Sequence, residues 1–222
     1  MSVIVKPIET GAPMGSGPYL PHVIGDVDLW QHIWHMEVLR GVTAEGATPG
    51  SVPPERGGRS LTVSPAGKAA LSGDPAVTFD VAAGTAAQAS TGAGFSTAST
   101  WTLLIVCDVT NGGSQTVRMP GMVAALSASS WIFYGTAVVT APVAGTGKAV
   151  YIVTGTAGVV TIWRNGSKAW TGAVTPGSQS EVGFNPTGAS KYALHHARFT
   201  ETVLTDAQIT TASADARTLH GI

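Results

Sequence analysis

The chain has 222 residues, enough for one β-sandwich core with an appendage. Only 11% of them are charged and the net charge is −1, which leaves too few Glu, Lys and Arg to clothe long surface helices and no basic stripe to hold nucleic acid. No run of about 18 apolar residues occurs, so no membrane span is expected, and the first residues lack the basic and apolar regions of a secretion signal.

Residues 1–60 read as an extended anchoring arm. Pro7, Pro13, Pro18 and Pro21, with Gly11, Gly15 and Gly17, forbid a continuous helix or a central strand. A short apolar segment follows. Leu29, Ile33 and Met36 recur at helical spacing, and Trp30, Trp34 and Val38 make a second row. The segment fits a short helix or a buried strand. Apolar almost all round, it needs a surface to pack on, and that surface is expected on a partner. Trp30, Ile33, Trp34 and Met36 are therefore the candidate anchoring residues. Asp28, His32 and His35 share one helix face if the segment is helical, which would allow a metal site. The favoured reading is polar punctuation, with no metal bound. Residues 46–58, with Pro49, Pro53 and Pro54, read as a loop.

From Leu61 to the end the pattern is β. Residues 76–81 form a short strand. Residues 102–109 are nearly continuous apolar, as in a central strand covered on both faces. Cys107, the one cysteine, reads there as a small buried hydrophobe. Further strands are expected at 131–135, 137–140, 149–154 and 159–164, with Trp163 buried. Asn165-Gly166 marks a type I′ hairpin, whose two central positions need positive φ, and 168–172 return from it. Strands at 181–184 and 192–199 complete the set. His195 and His196, adjacent on a strand, are expected to point to opposite faces and so not to chelate together. Thr205 and Gln208 match a capping box. Ile209, Ala212, Ala216 and Leu219 make one apolar stripe, and Gly221 stands at the C-cap. One helix is expected over 206–219.

The order of these late elements resembles the concanavalin A-like/LamG jelly-roll superfamily. The resemblance rests on Val159-Val-Thr-Ile-Trp-Arg-Asn-Gly as the strand and hairpin and Glu181-Val-Gly-Phe as the short strand after it. Residues 194–199, then Thr202-Val-Leu-Thr-Asp-Ala-Gln-Ile, resemble the closing strand and the start of the terminal helix. Val77-Thr-Phe-Asp and Trp101-Thr-Leu-Leu-Ile-Val resemble two earlier strands. It covers roughly 150 residues and omits 1–60. It implies an all-β jelly-roll sandwich of two antiparallel sheets over 61–222, with the extended arm before it and the short helix after it. Glycan or protein binding is common in the family, but fold does not fix function.

Glycoside hydrolysis needs two carboxylates flanking one bond. Among the 13 acidic residues only Asp26 and Asp28 stand two apart, outside the sandwich, so no catalytic residue is expected. Asp74, Asp80 and Asp108 are too scattered for calcium, and no cofactor is expected. Asn165-Gly166-Ser167 is formally a glycosylation acceptor, but its turn role accounts for it. Aromatic rings stack on sugars, which makes Trp170, Tyr134 and Trp131 the glycan-binding candidates. The expectation is a non-enzymatic virion protein, a phage decoration, fibre or tail component on the particle exterior, assembled in the host cytoplasm. Its partners would be capsid or tail proteins and a host glycan, and it would be a homo-oligomer, with a trimer favoured. The alternatives are a carbohydrate-binding adhesion module and, last, a polysaccharide hydrolase.

Overall fold

The computed structural model describes residues 29–39, 46–47, 49–64, 69–72, 76–80, 88–97, 100–109, 114–135, 137–143, 145–156, 158–187 and 191–222. The proline- and glycine-rich stretch before residue 29, with Asp26 and Asp28, lies outside them, as does Asp74.

Short β-prone runs separated by Gly, Pro and Ser give many strands. They are β1 (His32–His35), β2 (Ser51–Val52), β3 (Leu61–Ser64), β4 (Ala69–Ser72), β5 (Ala76–Asp80), β6 (Gln88–Ser90), β7 (Trp101–Val109) and β8 (Ser114–Met119). Next come β9 (Met122–Ser127), β10 (Trp131–Tyr134), β11 (Val138–Ala141), β12 (Gly147–Thr156) and β13 (Val159–Arg164). Then follow β14 (Ser167–Ala173), β15 (Gly183–Thr187), β16 (Lys191–Thr200) and the helix α1 (Asp206–His220). The first sheet runs β14-β13-β12-β7-β16-β5-β4, with β1 added on β16; the second runs β11-β10-β9-β8-β15-β6-β3-β2. The pairings are antiparallel, so the chain forms the expected two-sheet β-sandwich with a C-terminal helix.

Alternation along β7 shows why its sequence is apolar throughout. Leu103, Ile105 and Cys107 point between the sheets into the main core. Leu104 and Val106 point outward into a second apolar cluster, against Ile209, Ala212 and Ala216 of α1. The sandwich therefore has a third layer over its first sheet. Helix α1 is set by its ends: Thr205 Oγ1 accepts from the Gln208 amide at 3.3 Å, Gln208 Oε1 accepts from the Thr205 amide at 2.9 Å, and Gly221 closes it at φ 65°. The hairpin at Asn165 (φ 51°) and Gly166 (φ 86°) has the two positive φ angles its sequence requires.

The apolar segment after residue 28 is not left for a partner to cover. It forms β1 and a 3-10 turn (Met36–Leu39), and β1 pairs with β16. A strand sends successive side chains to opposite faces, so Trp34 and Met36 enter the main core while Trp30 and Ile33 enter the cluster under α1. All four anchoring candidates are at most 1% exposed. Their own fold covers them, which corrects the anchoring assignment. The division at residue 60 follows no seam either, because β1 and β2 belong to the two sheets.

Strand β16 changes partner along one edge, pairing with β5 up to Leu194 and with β1 from His196. At that junction its register against β7 slips, Leu194 facing Cys107 and His196 facing Val106. His195 is the extra residue of a β-bulge, which breaks the strict alternation of side chains.

Candidate functional site

One sheet face is covered by α1. The outer face of the second sheet carries no described helix, and its register lines up a row across six strands: Val138, Tyr134, Val123, Arg118 and, across β15 at Gly183, Ser90. Ile132, Ala125 and Thr116 form the next row. A polar network lies at the centre. Arg118 Nη1 donates to Glu181 Oε1 at 2.8 Å and to Gln88 Oε1 at 2.9 Å. Ser90 Oγ donates to Glu181 Oε2 and accepts from the Gly92 amide at 3.0 Å. The Arg118–Glu181 pair is about one-fifth exposed on each side and Gln88 is partly exposed, while Ser90 braces Glu181 from a buried position. Such an array offers guanidinium donors beside carboxylate acceptors, with an apolar margin at Tyr134, Val123 and Ile132.

The aromatic candidates divide. Tyr134 is 47% exposed on this face. Trp131 is fully buried, its ring 5.8 Å from Tyr151 and 6.1 Å from Phe133. It points inward with Phe133 because Tyr134 takes the outer phase of β10, and so it cannot meet a ligand. Trp170 is half-buried at the sandwich margin, stacked on Phe133 at 5.7 Å and 16°; it closes the core more than it offers a platform. Trp163 is buried, as expected. Arg118, Glu181, Gln88 and Ser90 escape a reading along the chain because they come from distant segments that only the sheet brings together. A concavity of about 350 Å³ opens at one end of the sandwich, with Trp101, Pro120, Gly155, Val159 and Pro176 among its lining residues.

The histidines also regroup. His32 and His35 share no face. His32 lies inward, parallel to Trp34 at 5.6 Å and edge-on to Phe95 at 5.4 Å. Burial, then the Arg59 guanidinium, push its pKa below the usual imidazole value against the weaker pull of Glu201. His35 faces the α1 side and lies directly across from His196. His195 and His196 do not separate as strict alternation would require, since both approach His220 of α1, with ring centroids 5.9 and 5.4 Å away. The bulge is the physical reason.

No family model matches the chain. No curated protein matches it. Solved structures do. The binding domain of botulinum neurotoxin serotype D superposes with a TM-score of 0.62 at 7% identity, covering 85% of this chain and 51% of that one. The binding domain of Paraclostridial Mosquitocidal Protein 1 gives 0.57 at 11% identity, covering 78% and 51%. The structure of botulinum neurotoxin type C, described as dependent for cell entry on interaction with two ganglioside molecules, gives 0.56 at 12% identity, covering 76% and 51%. The chain spans about half the length of these neighbours, and none of the three is a virion protein. At such identities the likeness is one of fold: this chain shares the jelly-roll β-sandwich found within toxin binding domains.

Proposed function

We propose that the chain is a carbohydrate-binding attachment module, without catalytic turnover, which holds glycan on the outer face of its second sheet. The observation that carries this reading is the Arg118–Glu181–Gln88–Ser90 network on a sheet face that no described helix covers. Neighbouring sugar hydroxyls both donate and accept, and a guanidinium beside a carboxylate meets such a pair at charge-assisted strength. Tyr134 lies two strands from Arg118, which at the usual strand spacing is about 10 Å, so one ring can stack on the tyrosine while the next meets the polar groups. Glu181 is tied to Arg118 and Ser90, a binding arrangement, whereas hydrolysis needs a second carboxylate across the bond. The type C neighbour's dependence on gangliosides adds support from a protein of the same fold.

The test is a glycan array with the whole chain, followed by titration of any hit. Arg118→Gln is expected to weaken binding by about 10- to 100-fold, the worth of a hydrogen bond to a charged group, and Tyr134→Ala by up to about 10-fold. A flat array with folded protein counts against the module. Binding retained in both variants but lost in Val159→Asp moves the ligand to the cleft at the sandwich end and overturns this site.

A further inference from the structure

Beneath the last turn of α1, on the opposite side of the molecule from the glycan face, three imidazoles meet. His35 comes from β1, His196 from β16 and His220 from α1, and one ring nitrogen of each lies within 4.8 Å of the others. His196 Nδ1 and His220 Nε2 are 3.2 Å apart. The rings of His35 and His196 are edge-on at 4.7 Å, and His35 and His220 are 5.4 Å apart. We propose that His35, His196 and His220 form a binding site for a divalent transition-metal ion of the zinc class, with solvent in the fourth position.

Three independent features of the fold converge on this arrangement. Direct register opposition in an antiparallel pair brings the side chains of His35 and His196 together on one face. The bulge at His195 resets the phase of β16, so that His196 points toward α1 with Val106, its neighbour in β7. The capping box and the C-terminal glycine fix where α1 begins and ends, which delivers His220 to the same point. Nitrogens bound to tetrahedral zinc at about 2.0–2.1 Å stand about 3.3 Å from one another. The His196–His220 separation already matches that edge, and closing the other two, both to His35, takes a side-chain adjustment of His35. Imidazole donors suit zinc, copper and nickel over calcium or magnesium. His35 and His196 are buried, while His220 is half-buried at the surface and gives the ion its entry.

Arg198 sets the terms of loading. Its Nε donates to His196 Nε2 at 3.1 Å, so in the metal-free form the His196 proton stands on Nδ1, directed at His220 Nε2. Metal at Nδ1 requires that proton to move to Nε2, and the Arg198 contact then opens. The guanidinium has a second place to rest, since it already stands 5.9 Å over the Trp30 ring. The ion thus replaces a hydrogen-bonded bridge between β16 and α1 with a coordinated one.

The experiment uses the untagged full chain, stripped with a chelator, and titrates Zn²⁺ by calorimetry and Co²⁺ by visible absorption. One equivalent is expected to bind, with the ligand-field bands of four-coordinate cobalt and a raised Tm. His220→Ala is the chief variant, because this half-buried position is the least needed for folding. Its loss of affinity is expected to exceed the about 10- to 100-fold that removal of an outer-shell partner costs. His32→Gln, on the inner face, is expected to bind as the parent does. Absence of saturable binding overturns the proposal, and so does binding that survives His220→Ala unchanged. Glycan binding is read separately, so either result stands whatever the outer face of the second sheet does.

Discussion

Removing the indole of Trp34 tests whether the segment around β1 belongs to the cooperative core. The ring is fully buried on the inner face of β1, parallel to His32, and its Nε1 donates to the Arg59 carbonyl at 2.6 Å. A buried tryptophan withdraws about 150–250 Å² from water. At about 25 cal/mol per Å² that is some 4–6 kcal/mol, an upper bound because denatured chains already bury part of this area. Measured Phe and Trp truncations in cores cost about 3–5 kcal/mol, and losing the donor to Arg59 adds about 1 kcal/mol. Trp34→Ala is therefore expected to cost about 4 kcal/mol. With a urea m-value of about 3 kcal/mol per molar, the midpoint falls by about 1.3 M at unchanged m. Trp34→Phe keeps most of the volume, loses the donor, and is expected to cost about 1–2 kcal/mol. Urea melts followed by far-UV circular dichroism measure both. A change in Trp34→Ala within the about 0.5 kcal/mol of a surface substitution would refute the reasoning and return β1 to the role of a loosely attached arm.

Two further outcomes follow from local chemistry. The folded-state pKa of His32 lies below its unfolded value of 6.5, so the unfolded chain takes up this proton first as the pH falls. The stability contributed by neutral His32 is complete above pH 6.5 and drains away as the pH drops toward the folded pKa; His32→Gln is expected to flatten that part of the slope in urea midpoints measured between pH 7.5 and 5.5. Thr205→Ala removes the hydroxyl that accepts from the Gln208 amide and is expected to lower stability by about 1 kcal/mol, read as a lower Tm with the glycan titration unchanged.

What the sequence could reveal followed the range of each signal. The Asn165-Gly166 turn, the capped helix and the doubly buried β7 are each written in one short continuous stretch, and the structure has all three. The pairing of β1 with β16 joins segments more than 160 residues apart, and no local pattern announces it. An apolar segment that will be covered by its own chain looks the same as one awaiting a partner. Trp131 illustrates a second limit: a period of two tells which residues share a face but not which face is inside, and in Trp131-Ile-Phe-Tyr both phases are apolar enough to serve. The bulge at His195 is a third, since one inserted residue undoes an argument from alternation and assembles a cluster that the sequence argues against. The polar network of the outer face draws on residues 88, 90, 118 and 181, each unremarkable alone.

The layer over the first sheet also makes the two outer faces of the sandwich unequal in how they are held. Leu29 and Ile222, nearly 200 residues apart, both pack against the cluster beneath α1. That side of the first sheet is thus fastened by segments far apart in the sequence, and the strands bearing Arg118 and Tyr134 lie across the main core from it. A loosening of β1 or α1 would therefore reach the outer face of the second sheet only through the core between the sheets.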